Sequence, residues 1–177
     1  MEIRDAIEAD LPAIVEIYNA TIPGCMVTGD MEPVSVESRI AWFYQHEPAQ
    51  RPLWVVEVDG TVAGWLGFQS FYGRPAYQVT AEISLYVAEA YRRQGLGRLL
   101  LEQAIAKSPG LGLTTLLGFV FGHNKPSLKL FQSLGFERWG YLPKIAVLNG
   151  VERDLVIMGY RVNSPPQPSQ SPDYPDP

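Results

Sequence analysis

Asp59-Gly60 divides two runs rich in β-branched and aromatic residues, Leu53–Val58 and residues 61–71. A two-residue hairpin turn needs left-handed backbone at both central positions, and Asp-Gly supplies it. The two runs are therefore expected to be adjacent antiparallel strands. A third run, residues 79–87, alternates, with Thr80, Glu82, Ser84 and Tyr86 on one face and Val79, Ala81, Ile83, Leu85 and Val87 on the other. Upstream, residues 2–5 suit an edge strand, and Asp10 is a candidate N-cap for a helix over residues 10–20 with Leu11, Ile14, Val15 and Tyr18 along one side. After a loop broken by Pro23, Gly24, Gly29 and Pro33, Ser35 is placed to cap a second helix carrying Ile40, Trp42 and Phe43. Downstream come a helix from about Gly95 with Leu96, Leu99, Leu100 and Ala104 inward, a strand at Thr115–Phe121, a short helix over 126–134 closed by Gly135, and strands at 136–142 and 155–161. The order β-α-α-β-β-β-α-β-α-β-β implies an α/β fold of the α+β kind, a mixed sheet with helices on both faces.

Between the third strand of this central group and the helix after it lies Tyr91-Arg92-Arg93-Gln94-Gly95-Leu96-Gly97-Arg98. Glycine allows close backbone approach, and the first N–H groups of a helix have no internal partner. Together they suit phosphate or diphosphate, and Arg92, Arg93 and Arg98 concentrate positive charge there. The dinucleotide fingerprint is not met, because position 100 is leucine.

That local charge stands out in a chain with net charge −5, which argues against nucleic acid or anionic membrane as a partner. Met1-Glu2-Ile3-Arg4-Asp5 lacks the basic-then-apolar pattern of a signal peptide, and no apolar run is long enough for a membrane span. One cysteine, Cys25, excludes an internal disulfide and suggests a reducing, cytoplasmic setting; with only two histidines, no metal site is expected. Six of the fifteen residues from 163 to 177 are proline, so the domain is expected to span 1–162, with 163–177 a solvated Pro-rich tail.

The segment from Val87 through Tyr91-Arg92-Arg93-Gln94-Gly95-Leu96-Gly97 resembles the acetyl-CoA signature of the GNAT N-acetyltransferases. A second motif, Asn124-Lys125-Pro126-Ser127 with Gly135-Phe136 downstream, resembles the later helix of that superfamily. Ile17-Tyr18-Asn19, Pro33, Arg39 with Trp42-Phe43, and the run Phe71, Arg74-Pro75-Ala76-Tyr77, Thr80-Ala81-Glu82, Ser84 and Tyr86-Val87 resemble the phosphinothricin and methionine sulfone or sulfoximine acetyltransferase branch. The resemblance implies the GNAT acyl-CoA fold, acetyl-CoA as co-substrate without a metal, a small-molecule amine as acceptor, and a homodimer. It implies that the strand splays at its end so that the Leu85, Tyr86 and Val87 backbone meets the pantetheine arm. Residues 92–98, which are Arg92, Arg93, Gln94, Gly95, Leu96, Gly97 and Arg98, would hold the diphosphate, and Asn124 and Ser127 would hold the pantetheine arm from the other side. Helix capping is the structural alternative for Asn124 and Ser127.

Amine acetylation needs a base, because free aliphatic amines are largely protonated at neutral pH. Glu82 is the candidate, a carboxylate on a strand where burial would raise its pKa, and the resemblance implies the same role. Arg74 could grip an acceptor carboxylate, with Tyr18, Trp42, Tyr72 and Tyr77 as walls; Arg39 could pair with Glu37 or with the preceding loop. Phe131 occupies the position where the superfamily commonly has Tyr and this branch His, and it cannot protonate a leaving thiolate. Other acceptors, such as a polyamine or a peptide N-terminus, or a non-catalytic acyl-CoA sensor, are the alternatives at this level.

Overall fold

The structure is a computed structural model, and it describes residues 1–162. The proline-rich stretch 163–177 lies outside the described residues. The strands are β1 (Glu2–Asp5), β2 (Leu53–Val58), β3 (Thr61–Ser70), β4 (Thr80–Val87), β5 (Thr115–Phe121), β6 (Glu137–Leu148) and β7 (Val151–Arg161); the helices are α1 (Leu11–Asn19), α2 (Val36–Phe43), α3 (Leu96–Lys107) and α4 (Lys125–Ser133). This is the expected element order. One seven-stranded sheet runs β1-β2-β3-β4-β5-β7-β6. Every neighbouring pair is antiparallel except β4 and β5. Among the described residues no helix is long and apolar enough to cross a membrane.

The β2–β3 turn forms as the sequence demands, with φ of 50° at Asp59 and 76° at Gly60. Asn149 and Gly150 adopt the same left-handed pair, 49° and 77°, and close a β6–β7 hairpin much longer than the sequence reading allowed. Pro143 has no N–H to give to a sheet ladder. It is tolerated because β6 is the outer strand and the ladder bulges between Leu142 and Ala146. Within that bulge Lys144 is left-handed, and its N–H donates to Asp154 Oδ1 at 2.8 Å.

Ser35 caps α2 as expected, accepting from the Ser38 N–H. Asp10 does not cap α1 with its side chain. Its carboxylate instead accepts from Ile7 N–H at 2.8 Å and from both terminal nitrogens of Arg4, which holds its carboxyl below the usual range. Arg4 also reaches Glu57, so one guanidinium ties β1 to β2 and to the start of α1.

The sheet separates two apolar layers. On one face Leu96, Leu100, Leu101 and Ala104 of α3 and Phe131 of α4 pack on Leu66, Phe68, Ala81, Ile83, Leu116 and Met158. Leu101 takes the inward place expected for Leu99, which is 36% exposed. On the other face Ile14 and Ile17 of α1 pack on Val55 and Trp65, with Trp42, Phe43 and Tyr86 against them. Phe131 reaches β5 only because position 118 is glycine, where a Cβ would stand 2.5 Å from its ring. Gly118→Ala is therefore expected to destabilise by about 1–3 kcal/mol. At this chain length each kcal/mol lowers Tm by roughly 2–4 °C. Thermal unfolding checks this, and an unchanged Tm would show that Phe131 can step aside.

Candidate active site

The parallel pairing of β4 with β5 covers only Thr80↔Thr115, Ala81↔Leu116 and Glu82↔Leu117. Both strands continue well beyond, so they diverge from Glu82 onward. On the opposite edge β4 stays paired with β3 as far as Gly64↔Val87. Ala88 N–H donates to Ala63 O at 2.9 Å, so even-numbered residues of β4 turn their backbone groups to β3. The odd-numbered residues Ile83, Leu85 and Val87 turn theirs into the cleft. An extended ligand carrying amides could pair there as an added strand. Arg92 Nε already uses one of these groups, donating to Val87 O at 3.3 Å.

The cleft ends at the start of α3. Arg93 and Gly95 have φ of 61° and 85°, and Gly95 caps the helix without a side chain. The N–H groups of Leu96, Gly97 and Arg98 at this uncapped end suit an anion. Arg92, Arg93 and Gln94 are exposed around the same bend. Gly97 lets α3, β4 and α4 converge, since a Cβ there would lie 3.1 Å from Leu130 and 3.6 Å from Leu85. Arg98 links across to Ser133 of α4 and pairs with Glu102.

On the α1/α2 face of the same strand lies a cavity of about 130 Å3, lined by Ile14, Val15, Tyr18, Val34, Arg39, Trp42, Trp65, Gln69, Ser84 and Tyr86. Trp65 stacks on Tyr86 at 4.4 Å, and Trp42 and Tyr18 close against them at 5.7 and 5.2 Å. Arg39 is the one cation of the lining. Its guanidinium lies 5.0 Å from the Tyr18 ring and 5.7 Å from the Trp42 ring, and it donates to Asp30 at 3.2 Å. The loop, not Glu37, is thus its partner. Tyr18 OH donates to the same carboxylate at 2.6 Å.

Glu82 shares this face, two positions from Ser84 and directly across from the lining residue Gln69. It is half-buried, and desolvation pushes its carboxyl above the usual carboxylate range. Burial first, and then the Asp30 and Glu82 carboxylates, push the Tyr86 phenol well above its usual range, so it stays neutral. The carboxylate thus stands where the cleft between β4 and β5 opens beside the aromatic cavity.

Tyr18 and Trp42 meet in that cavity. Arg74 and Tyr77 are not among its lining residues. They lie in the β3–β4 connection, where Tyr72, Tyr77 and Phe71 pack on one another and Tyr72 is 75% exposed. Arg39 was the residue that sequence reasoning left undecided, although its spacing to Trp42 carried the signal. Asn124 is buried and both ends of its amide are engaged: Oδ1 accepts from Ser127 N–H at 3.2 Å, and Nδ2 donates to Met26 O at 2.9 Å. It caps α4 and pins the loop that carries Asp30. His123 Nε2 bonds Cys25 O at 2.7 Å in the same tether. Phe131 points into the core against Phe136. Among the described residues no group of acidic, histidine or cysteine side chains could hold a metal ion.

A cleft that offers amide pairing along its length and a diphosphate seat at its end suits an extended, phosphate-ended acyl donor, and these residues fit coenzyme A. That is the layout of an acyl-coenzyme A transferase. Residues 11–136 match the Acetyltransferase (GNAT) family, and the chain belongs to it. It is 51% identical to YwnH of Bacillus subtilis strain 168, named as a candidate phosphinothricin acetyltransferase, over 90% of this chain and 98% of that protein. It is 32% identical to the L-methionine sulfoximine/L-methionine sulfone acetyltransferase of Salmonella typhimurium, over 89% and 92%. The crystal structure of a phosphinothricin acetyltransferase from Sinorhizobium meliloti in complex with acetyl-CoA superposes with a TM-score of 0.86 at 26% identity, covering 97% of this chain and 96% of that one.

Proposed function

We propose that this chain acetylates the primary amine of a small amino acid or amino-acid analogue of the phosphinothricin or methionine sulfone type, by direct transfer with Glu82 as general base. The observation that carries this reading is the half-buried Glu82 at the junction of the β4–β5 cleft and the aromatic cavity.

Acetyl-CoA supplies an activated acetyl group as its thioester. Leu85 and Val87 N–H groups would pair with its amide arm and stabilise charge developing on the carbonyl oxygen. The N–H groups of Leu96, Gly97 and Arg98, with Arg92, Arg93 and Gln94, would hold the diphosphate, and Ser127 faces from α4. The acceptor amine loses its proton to Glu82. Its nitrogen then bonds the acetyl carbon as the carbon–sulfur bond breaks, and the second proton shed by that nitrogen passes to the departing thiolate. Thiols ionise near ~8.5, so the sulfur can leave as thiolate and Phe131 is no obstacle.

The acceptor assignment rests on the cavity. It is a small pocket of about 130 Å3 walled by Tyr18, Trp42, Trp65 and Tyr86, with Arg39 to meet a carboxylate. Among the described residues no acid lines the cavity, and Asp30 next to it is taken by Arg39 and Tyr18, which does not suit a polyamine. The test is a thiol-release assay with acetyl-CoA across phosphinothricin, methionine sulfone, methionine sulfoximine, free L-amino acids and a polyamine. Turnover confined to the amino-acid group is expected. Turnover on the polyamine alone, or on none, would overturn the reading.

A further inference from the structure

His46, just beyond α2, is a titratable group beside the acceptor cavity to which the mechanism gives no task. Its Nδ1 lies 3.0 Å from Trp42 O. A carbonyl only accepts, so Nδ1 carries the proton and Nε2 presents a bare lone pair. Nε2 is buried and has no partner among the described residues. A lone pair left so is costly, and burial keeps the imidazole below the usual histidine range and neutral. The ring is edge-on to Trp42 at 4.7 Å and rests on β3 at Gly67, where a Cβ would stand 3.2 Å from Nε2. Gly67 lies between the lining residues Trp65 and Gln69 on the same strand face, and its cross-strand partner is Ser84, also in the lining. Glu82 and Tyr86 flank Ser84 on β4, and Arg39 lines the cavity from α2, paired with Asp30 of the loop before it.

We propose that His46 is a positioning residue of the acceptor site: its Nε2 takes the Ser84 hydroxyl proton as a hydrogen bond when the acceptor is bound. The Ser84 oxygen then turns its lone pairs to the amine beside Glu82. No proton is transferred; the Ser84 side chain turns about its Cα–Cβ bond to bring Oγ to Nε2, and the orphaned lone pair gains its partner. This rests on the acceptor site proposed above. It also accounts for a glycine at position 67, since any larger residue would push the imidazole off the strand.

The experiment compares His46→Phe, His46→Gln, Ser84→Ala and the His46→Phe/Ser84→Ala double variant with wild type, measuring KM for acceptor, KM for acetyl-CoA, kcat and Tm. Phenylalanine keeps the ring and removes the acceptor; glutamine restores a polar atom near Nε2. Expected are a rise in acceptor KM of about tenfold in His46→Phe, with acetyl-CoA KM and Tm held. His46→Gln should recover most of it, and the double variant should be no worse than the poorer single one. Unchanged acceptor kinetics in His46→Phe, fully additive losses, or equal losses in His46→Phe and His46→Gln would each overturn the inference. A wild type that acetylates none of the amines sinks the proposed function and this inference with it. An active wild type with an indifferent His46→Phe sinks the inference alone.

Discussion

Glu82→Gln is expected to lower kcat/KM by about 10²–10⁴-fold, the usual contribution of a positioned general base. Acetyl-CoA affinity should hold, because the groups assigned to the donor lie on Leu85, Val87 and residues 92–98, away from the Glu82 carboxylate. The pH profile makes the test specific. Desolvation raises the Glu82 pKa, so the basic form is present above that raised value and disappears as pH falls through it. Wild-type activity should therefore decline on the acid side, at a pH above that of an ordinary glutamate. The substitution should erase this limb. A second limb, from the acceptor's own ammonium group, moves when the amine is changed; the Glu82 limb does not. Full activity in Glu82→Gln, or a profile that tracks only the amine, would remove Glu82 from the mechanism. A protein that merely senses acyl-CoA would show binding and no turnover even as wild type.

Arg39→Ala should raise acceptor KM by roughly ten- to a hundredfold, the scale of a lost charged hydrogen bond together with a lost wall. Arg39 is the one cation in the cavity lining, and its plane lies over Tyr18 and Trp42 while one nitrogen holds Asp30. Removing it frees the loop carboxylate beside the acceptor, which repels an anionic amino acid. Arg39→Lys should restore little, since an ammonium lacks the flat fork that stacks and bonds at once. Acetyl-CoA KM should stay put in both variants. Steady-state kinetics with each substrate varied in turn would check this. A KM increase shared equally by donor and acceptor would mean that the α1–α2 loop had collapsed instead.

Much of the catalytic strand was legible beforehand because its logic is local. Alternation along residues 80–87 separates Glu82, Ser84 and Tyr86 from Ala81 and Ile83 without reference to any other element, and the helix-opening glycines declare themselves by spacing. The Asn149-Gly150 turn is equally local, yet the sequence reading ended the strand at residue 142; β6 runs on through Pro143 because an outer strand absorbs it in a bulge. Asn124 was harder. Its residue type suits both a ligand contact and a cap, and only the distances to Ser127 and Met26 show where its amide is engaged.

Residue order by itself determined the element sequence, the β2–β3 turn, the glycine bend that opens α3 and the carboxylate on β4, since backbone conformation and one-face periodicity are written within a few neighbouring positions. Tertiary structure alone decided which side chains share the acceptor cavity. Tyr18, Arg39, Trp42, Trp65 and Ser84 come from two helices and two strands, and their meeting depends on how α1 and α2 settle on the sheet. The same packing left Arg74 and Tyr77 outside and brought His46 onto Gly67, because contacts between distant segments are set by the shapes that fit together and not by spacing along the chain.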